Sequence, residues 1–437
     1  MSRSLVMPAL ACAGLTLSFG TLAQTADSST QTAANPVIQW NKTLLTILRT
    51  KGAQPATIHP TRSYAILHAA IYDAVNSIEG DHRPYRVQIE GVSPQASEEA
   101  AADEAAHDVL VSLYPTFQPT LDTQLEQALA EIPDGPEKAA GTDVGRATAA
   151  ALLALRSDDG SAVTPPAFVF TNVPGRYEST PPNFPAQPQF THWSGVRTFV
   201  LRKANQFRPG PPPALTSAQY TQAFNEVASV GIAGSTTATA DQALTGTFWN
   251  GAIQNYWNEI TQTAAESKNL NTADTARLFA LLNLSLADGV IAFYDAKYTY
   301  NFWRPVTAIR AADTDGNPNT AVNANWLPEV TNTTNDPSYP GAHAVISSAA
   351  AFVLEDFFRT NRIQLTVTSE VLPGVTRSFT SFGAAETEAS LSRIFAGVHF
   401  RTDENAGEVL GRQVADFVTD HALRPVRDHR DDDDGRY

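Results

Sequence analysis

Sulfur is nearly missing from this chain. Its 437 residues hold one cysteine, Cys12, and two methionines, Met1 and Met7, all within the first twelve positions. That excludes a disulfide-stapled miniprotein. Basic charge is also in deficit: 30 Lys+Arg stand against 45 Asp+Glu, a formal charge of −15. A nucleic-acid binder needs a basic surface to meet phosphates, so that class is set aside. With 43% hydrophobic and 17% charged residues, disorder and collagen-like repeats are excluded as well. No internal repeat, P-loop, metalloprotease helix motif or nucleophile elbow is found. Beyond the leader, no stretch matches the roughly 20 apolar residues of a membrane span. What remains is a chain long enough for one large core or two to three smaller ones.

Residues 1–23 read as a secretory signal peptide. Arg3 supplies the positive start, an apolar stretch runs from Leu5 to Gly20, and Ala23 precedes Gln24 at the expected cleavage point. Pro8, Gly14 and Gly20 weaken the alternative of a membrane anchor, and only a short apolar run precedes Cys12 for a lipoprotein. The expectation is a secreted or periplasmic protein without stable membrane insertion. Cleavage would remove every sulfur atom. Compositional drift explains this, and so does selection against side chains that oxidants attack first.

Apolar residues at three- and four-residue intervals predict helices over Trp40–Arg49, Arg62–Ile78, Ser97–Leu113, Leu121–Glu131 and Pro136–Arg156. Prolines 165, 166, 181, 182, 185, 188 and 211–213 preclude long helices over 157–215, which reads as an extended connector. Helical patterning resumes at Ser217–Val230, Asp241–Glu266, Thr272–Tyr298, Ala342–Phe358, Glu386–Ala396 and Glu404–His421. Gln364–Thr368 and Val375–Thr380 flank Pro373-Gly374 as a small hairpin. The prediction is an all-α fold with one β-hairpin. Its parts are an N-terminal helical half with connector (24–215), a C-terminal half (216–426) and a charged disordered tail (427–437). His68 and Asp73 read as packed core groups, and the Asp313–Asn317 loop as a plain turn.

Three segments of the C-terminal third carry chemistry. In Lys297-Tyr-Thr-Tyr-Asn-Phe-Trp-Arg304-Pro305 two cations stand seven apart, about two helical turns and one face. In Asp336-Pro-Ser-Tyr-Pro340-Gly341-Ala342-His343 a turn opens an apolar helix, whose free N–H groups suit an oxyanion. In Ser392-Arg393-Ile-Phe-Ala-Gly397-Val-His399-Phe-Arg-Thr-Asp403, Gly397 can break the helix and turn His399 back toward Arg393. Asp403 could then hold one imidazole nitrogen and leave the other as nucleophile or metal ligand. Each segment alone has an ordinary structural reading. Together, Lys297, Arg304 and Arg393 with the Gly341–Ala342 turn match a tetrahedral oxyanion such as phosphate or vanadate. A non-enzymatic helical binding protein would leave that convergence unexplained.

These residues resemble the signature of the vanadium-dependent haloperoxidase and type 2 phosphatidic acid phosphatase superfamily. That signature is Lys-x6-Arg-Pro, Pro-Ser-Gly-His and Ser-Arg-x5-His-x3-Asp. Here it reads Lys297/Arg304-Pro305, Pro340-Gly-Ala-His343 and Ser392-Arg393/His399/Asp403. The stretches Phe302–Arg310, His68–Asn76 and His399–Asp403 resemble the haloperoxidase branch. The resemblance runs from about residue 38 to 421 and implies two packed four-helix bundles.

It implies vanadate as cofactor, with His399 as the metal ligand. Lys297, Arg304 and Arg393 would neutralise its oxygens, helped by Ser392 and the backbone of Gly341 and Ala342. His343 would move protons, and Lys297 would polarise hydrogen peroxide for attack by halide. The alternative is an acid phosphatase holding phosphate in the same cage, with His399 as nucleophile, Asp403 its orienter and His343 the acid. Partners are then small molecules: hydrogen peroxide, halide and an organic acceptor, with monomer or homo-oligomer left open. Two positions depart from the signature. Gly341 and Ala342 replace its serine and glycine, removing a hydroxyl donor whose loss costs about 1.5–3 kcal/mol. Asp336 stands where an aromatic or histidine is expected near the halide. Pointing inward and ionised, it would repel an anion.

Overall fold

Small polar caps and prolines set most of the helix starts. In this computed structural model, which describes Met1 and residues 34–426, α1 (Pro36–Arg49) begins behind Asn35, whose side chain accepts the Val37 N–H. The leader expected at 1–23 and the tail expected at 427–437 lie outside the described residues. Helix α2 (Pro60–Glu79) ends on Gly80 in the left-handed conformation, and Ser97 caps α3 (Glu98–Leu113). Then follow α4 (Gln118–Ala130) and α5 (Pro136–Arg156). The proline-rich stretch after α5 is an extended connector, with one short 3-10 turn at Trp193–Gly195.

The C-terminal part holds α6 (Ala218–Val230), α7 (Ala240–Phe248), α8 (Ile253–Ser267), α9 (Thr272–Tyr300) and α10 (Pro305–Arg310). After a long loop come α11 (Ala342–Phe358), β1 (Arg362–Thr368), β2 (Thr376–Ser381), α12 (Phe382–Phe395) and α13 (Arg401–His421). The two strands pair antiparallel as the expected hairpin, with Leu365 opposite Phe379 on its buried face. His68 is a core group whose Nε2 meets Asn41 Oδ1 at 2.8 Å, and Asp73 accepts the N–H groups of Tyr85, Arg86 and Val87. Asp315 closes the 313–317 turn by accepting from Asn317 N–H and Thr320 Oγ1–H.

Two expectations need correction. The single helix expected over Asp241–Glu266 is two, interrupted at Trp249–Ala252. A side chain at Gly251 would meet Glu370 and Tyr256, and the Ala252 N–H leaves the helix pattern for Glu370 Oε2. Helix α9 also contains an 18-residue window with mean hydropathy 1.5, apolar enough to cross a bilayer. That window is 94% buried, because α9 packs against α2 on one side and α11 and α13 on the other. Helices α2, α3 and α5 pack together, as do α11, α12 and α13, and α9 joins both sets into one core. A second apolar cluster, built from Phe302, Trp303, Trp326, Tyr339, Phe400 and α6, underlies the site.

Candidate active site

Each of the three segments reaches the same buried place by a different local device. Lys297 lies in the last turn of α9. The helix ends three residues later at Tyr300, and Asn301 follows in the left-handed region (φ 50). Phe302 then bridges to Arg176, and Arg304 caps the start of α10. Lys297 and Arg304 therefore do not meet by sharing a helix face; a chain reversal brings them together. The loop 336–341 is drawn in by the Ser338 N–H, which donates to Phe302 O at 2.9 Å. It ends at Gly341, the cap of α11. Between α12 and α13, Gly397 takes φ +79, with Gly231 O only 2.1 Å from where a Cβ would stand. That turn delivers His399, as its sequence position suggested.

His399 is the centre of the arrangement. Its Nδ1 lies 3.2 Å from Asp403 Oδ2 and its Nε2 lies 3.0 Å from Arg304 Nη1. A carboxylate accepts and a guanidinium donates, so Nδ1 carries the proton and Nε2 keeps its lone pair. Asp403 Oδ2 also accepts from Ser338 Oγ at 2.6 Å and from the Phe400 N–H at 3.0 Å. Arg304 is fixed further by Asp336 O and Val398 O, at 2.8 and 2.9 Å. Lys297 Nζ donates to Pro337 O and to Ser338 O. Arg393 Nη1 donates to Asn250 Oδ1 at 3.1 Å, while its buried Nε has no partner among the described residues. His343 Nε2–H donates to Trp249 O at 2.9 Å.

Burial governs the electrostatics. Lys297, Arg304 and Arg393 are 0%, 1% and 3% exposed, a costly concentration of cations. Burial pulls the Lys297 ammonium down to about 8, although the Asp336 carboxylate opposes it. Burial and the positive charge of Arg304 hold His399 well below its ordinary value, so it is neutral at pH 7. His343 is lowered likewise, by burial and by Arg393. Asp403 is pushed up to about 6 by burial, against its bond from Ser338.

The expected residues converge with two exceptions. Ser392 is buried, but its hydroxyl donates to Ala389 O within its own helix at 2.6 Å and adds nothing to the cage. The Gly341 N–H is spent on Asp403 O at 2.9 Å. Gly341 therefore supplies no donor, and those at this end of α11 are the uncapped N–H groups of Ala342 and His343. Asp336 points inward, where its Oδ1 pairs with Arg304 Nη2 and lies 3.6 Å from Lys297 Nζ. Sequence reasoning missed Ser338, Asn250, the Trp249 carbonyl and Glu404. Ser338 lay within a segment already singled out; the Trp249–Asn250 pair depends on an unforeseen helix break.

Residues 277–428, which carry Lys297, Arg304, His343, Arg393, His399 and Asp403, match the model of the VCPO second helical-bundle domain. With the three-part signature, this match supports the resemblance to the vanadium-dependent haloperoxidase and type 2 phosphatidic acid phosphatase superfamily. The chain is similar to the vanadium chloroperoxidase of Curvularia inaequalis, at 24% identity over 493 residues covering 85% of this chain and 79% of that protein. It is also similar in structure to a bacterial vanadium-dependent iodoperoxidase. That likeness has a TM-score of 0.73 and 25% identity, covering 90% of this chain and 96% of the other. A holo-type bacterial vanadium-dependent chloroperoxidase shares the fold at TM-score 0.63 and 16% identity, covering 90% and 93%.

Proposed function

We propose that this protein is a vanadate-dependent, haloperoxidase-like oxidoreductase that oxidises halide with hydrogen peroxide. The observation that carries the reading is the buried His399 imidazole, its Nδ1 held by Asp403 and its Nε2 directed at Arg304 within a cage of three cations. Such a donor set fits a tetrahedral oxyanion bound through one nitrogen. When bound, vanadate supplies the activation of hydrogen peroxide toward halide. The chain's own residues do the rest. Lys297, Arg304 and Arg393 balance the charge of the oxyanion oxygens, and the Ala342 and His343 N–H groups add neutral donors.

Asp403 fixes the imidazole tautomer so that Nε2, and not Nδ1, serves as ligand. His343 donates through Nε2 to Trp249 O, which leaves Nδ1 as its proton-exchanging nitrogen. The acidic field of Asp336 is offset by its pairing with Arg304 and Lys297, so a halide would meet a carboxylate already shared between two cations. That inward carboxylate also favours a second reading, a phosphomonoesterase using the same cage with His399 Nε2 as nucleophile, which needs no free halide site. The leader at 1–23 supports export to the periplasm or beyond.

The two readings part in one experiment. Vanadate-loaded wild type should brominate a dye with hydrogen peroxide and bromide, whereas His399→Ala should not. Vanadate-inhibited hydrolysis of an aryl phosphate with no halogenation would instead establish the phosphatase.

A further inference from the structure

Glu404 is the one buried carboxyl at this site that no hydrogen bond among the described residues engages. It is 1% exposed, and neither of its oxygens has a hydrogen-bond partner among the described residues. A carboxyl left unpaired in a protein interior forfeits its hydration without compensation, so such a group calls for a partner that binding supplies. Its surroundings say what kind. Oε1 lies 3.7 Å from His399 Nδ1, and the unpartnered Nε of Arg393 belongs to the cation whose charge acts most strongly on it.

Gly341 adds an independent observation. A Cβ built there would stand 2.3 Å from Glu404 Oε1, 2.6 Å from Cδ and 2.7 Å from Oε2. Glu404 thus fills the volume a side chain at 341 would need. In the signature this chain resembles, position 341 carries a serine whose hydroxyl donates to the oxyanion. The glycine and the glutamate are complementary: the first gives up a hydroxyl, and the second brings a carboxyl into the same space from α13.

We infer that Glu404 is a further oxyanion-binding residue of this site, its carboxyl standing in for the serine hydroxyl that Gly341 lacks. The bond is between one carboxyl oxygen and one oxyanion oxygen, whichever of the two brings the proton. Asp403 is anchored through Oδ2 by His399, Ser338 and Phe400. Its Oδ1 also lacks a partner among the described residues, but it is Glu404 whose carboxyl occupies the space of a side chain at 341.

The inference rests on the oxyanion reading of the site, and the test separates the two. Vanadate affinity is measured by calorimetry and by 51V NMR on wild type, Glu404→Ala, Glu404→Gln and the double variant Gly341→Ser/Glu404→Ala. A wild type that binds no vanadate overturns the oxyanion reading itself. Given binding by wild type, Glu404→Ala is expected to lose tenfold or more. Glu404→Gln, which keeps the shape and a hydrogen-bonding group, should stay within about threefold. The double variant should regain most of the loss, because removing the carboxyl makes room for the serine. Wild-type affinity in Glu404→Ala, or a double variant no tighter than Glu404→Ala, overturns the role of Glu404. Should Glu404→Ala fail to fold, a Glu404→Gln protein binding tenfold more weakly would overturn it as well.

Discussion

Lys297 ties the site's charge to pH. Burial sets its pKa near 8, so below that value the cage holds three full positive charges and above it one is lost. The sign follows directly: oxyanion affinity should fall as pH rises through about 8. One charge-assisted hydrogen bond is worth about 1.5–3 kcal/mol, roughly tenfold or more in affinity. Vanadate titrations from pH 6.5 to 9.5 on wild type and Lys297→Arg would show it, since arginine stays charged throughout. The ratio of the two affinities cancels the ligand's own ionisation and should change by about tenfold in favour of arginine. A flat ratio would mean that Lys297 keeps its proton or does not face the oxyanion. Asp336 belongs to the same balance. The sequence placed it near the halide as a source of repulsion; its pairing with Arg304 and Lys297 turns it into part of the cage's own neutralisation.

At the scale of elements, the site depends on how closely α11 and α13 approach. A side chain at Gly411 would stand 2.2 Å from Val345 O, so bare backbone meets bare backbone there. Helix α13 starts just past His399 and carries Asp403, while α11 starts at Gly341 and carries His343. Gly411→Val should push the helices apart, destabilise the fold by about 1–3 kcal/mol and lower vanadate affinity, although no site residue is touched. Thermal unfolding and a vanadate titration on the same sample check both effects. The sequence made much of this legible. Helical periodicity located α2, α3, α5, α11 and α13, and motif spacing singled out Lys297, Arg304, His343, Arg393, His399 and Asp403. It placed the end of α9 at Tyr298, within two residues of the observed Tyr300. It did not reveal the left-handed turn at Asn301 that takes Arg304 off the helix face of Lys297, because the aromatic run 298–303 carries no proline or glycine to mark it. Neither did it reveal the Trp249–Ala252 break, which tertiary bonds to Glu370 impose. Glu404 was invisible for a similar reason: its meaning lies in contact with Gly341, on a different helix and 63 positions away.

For the molecule as a whole, the missing sulfur acquires a chemical setting. No methionine or cysteine lies beyond residue 12, and all six tryptophans are buried. A protein handling peroxide and hypohalous acid gains from both features, because thioethers and thiols are the groups such oxidants take first. Introducing one restores the liability. Leu244 lies on α7 and is 39% exposed, so Leu244→Met adds a single accessible thioether of similar size. During turnover with vanadate, peroxide and bromide, mass spectrometry should find that variant oxidised at residue 244 while wild type is unchanged. Equal oxidation with and without vanadate would separate the composition from the enzyme's own chemistry.

The proposed chemistry depends on one bond, from His399 Nε2 to vanadate. X-ray absorption at the vanadium edge tests it most directly, on wild type and His399→Ala loaded under the same conditions. Wild type should show one nitrogen among the metal's nearest neighbours, and His399→Ala should show oxygen alone. An all-oxygen environment in wild type, unchanged by the substitution, would contradict the assignment of His399.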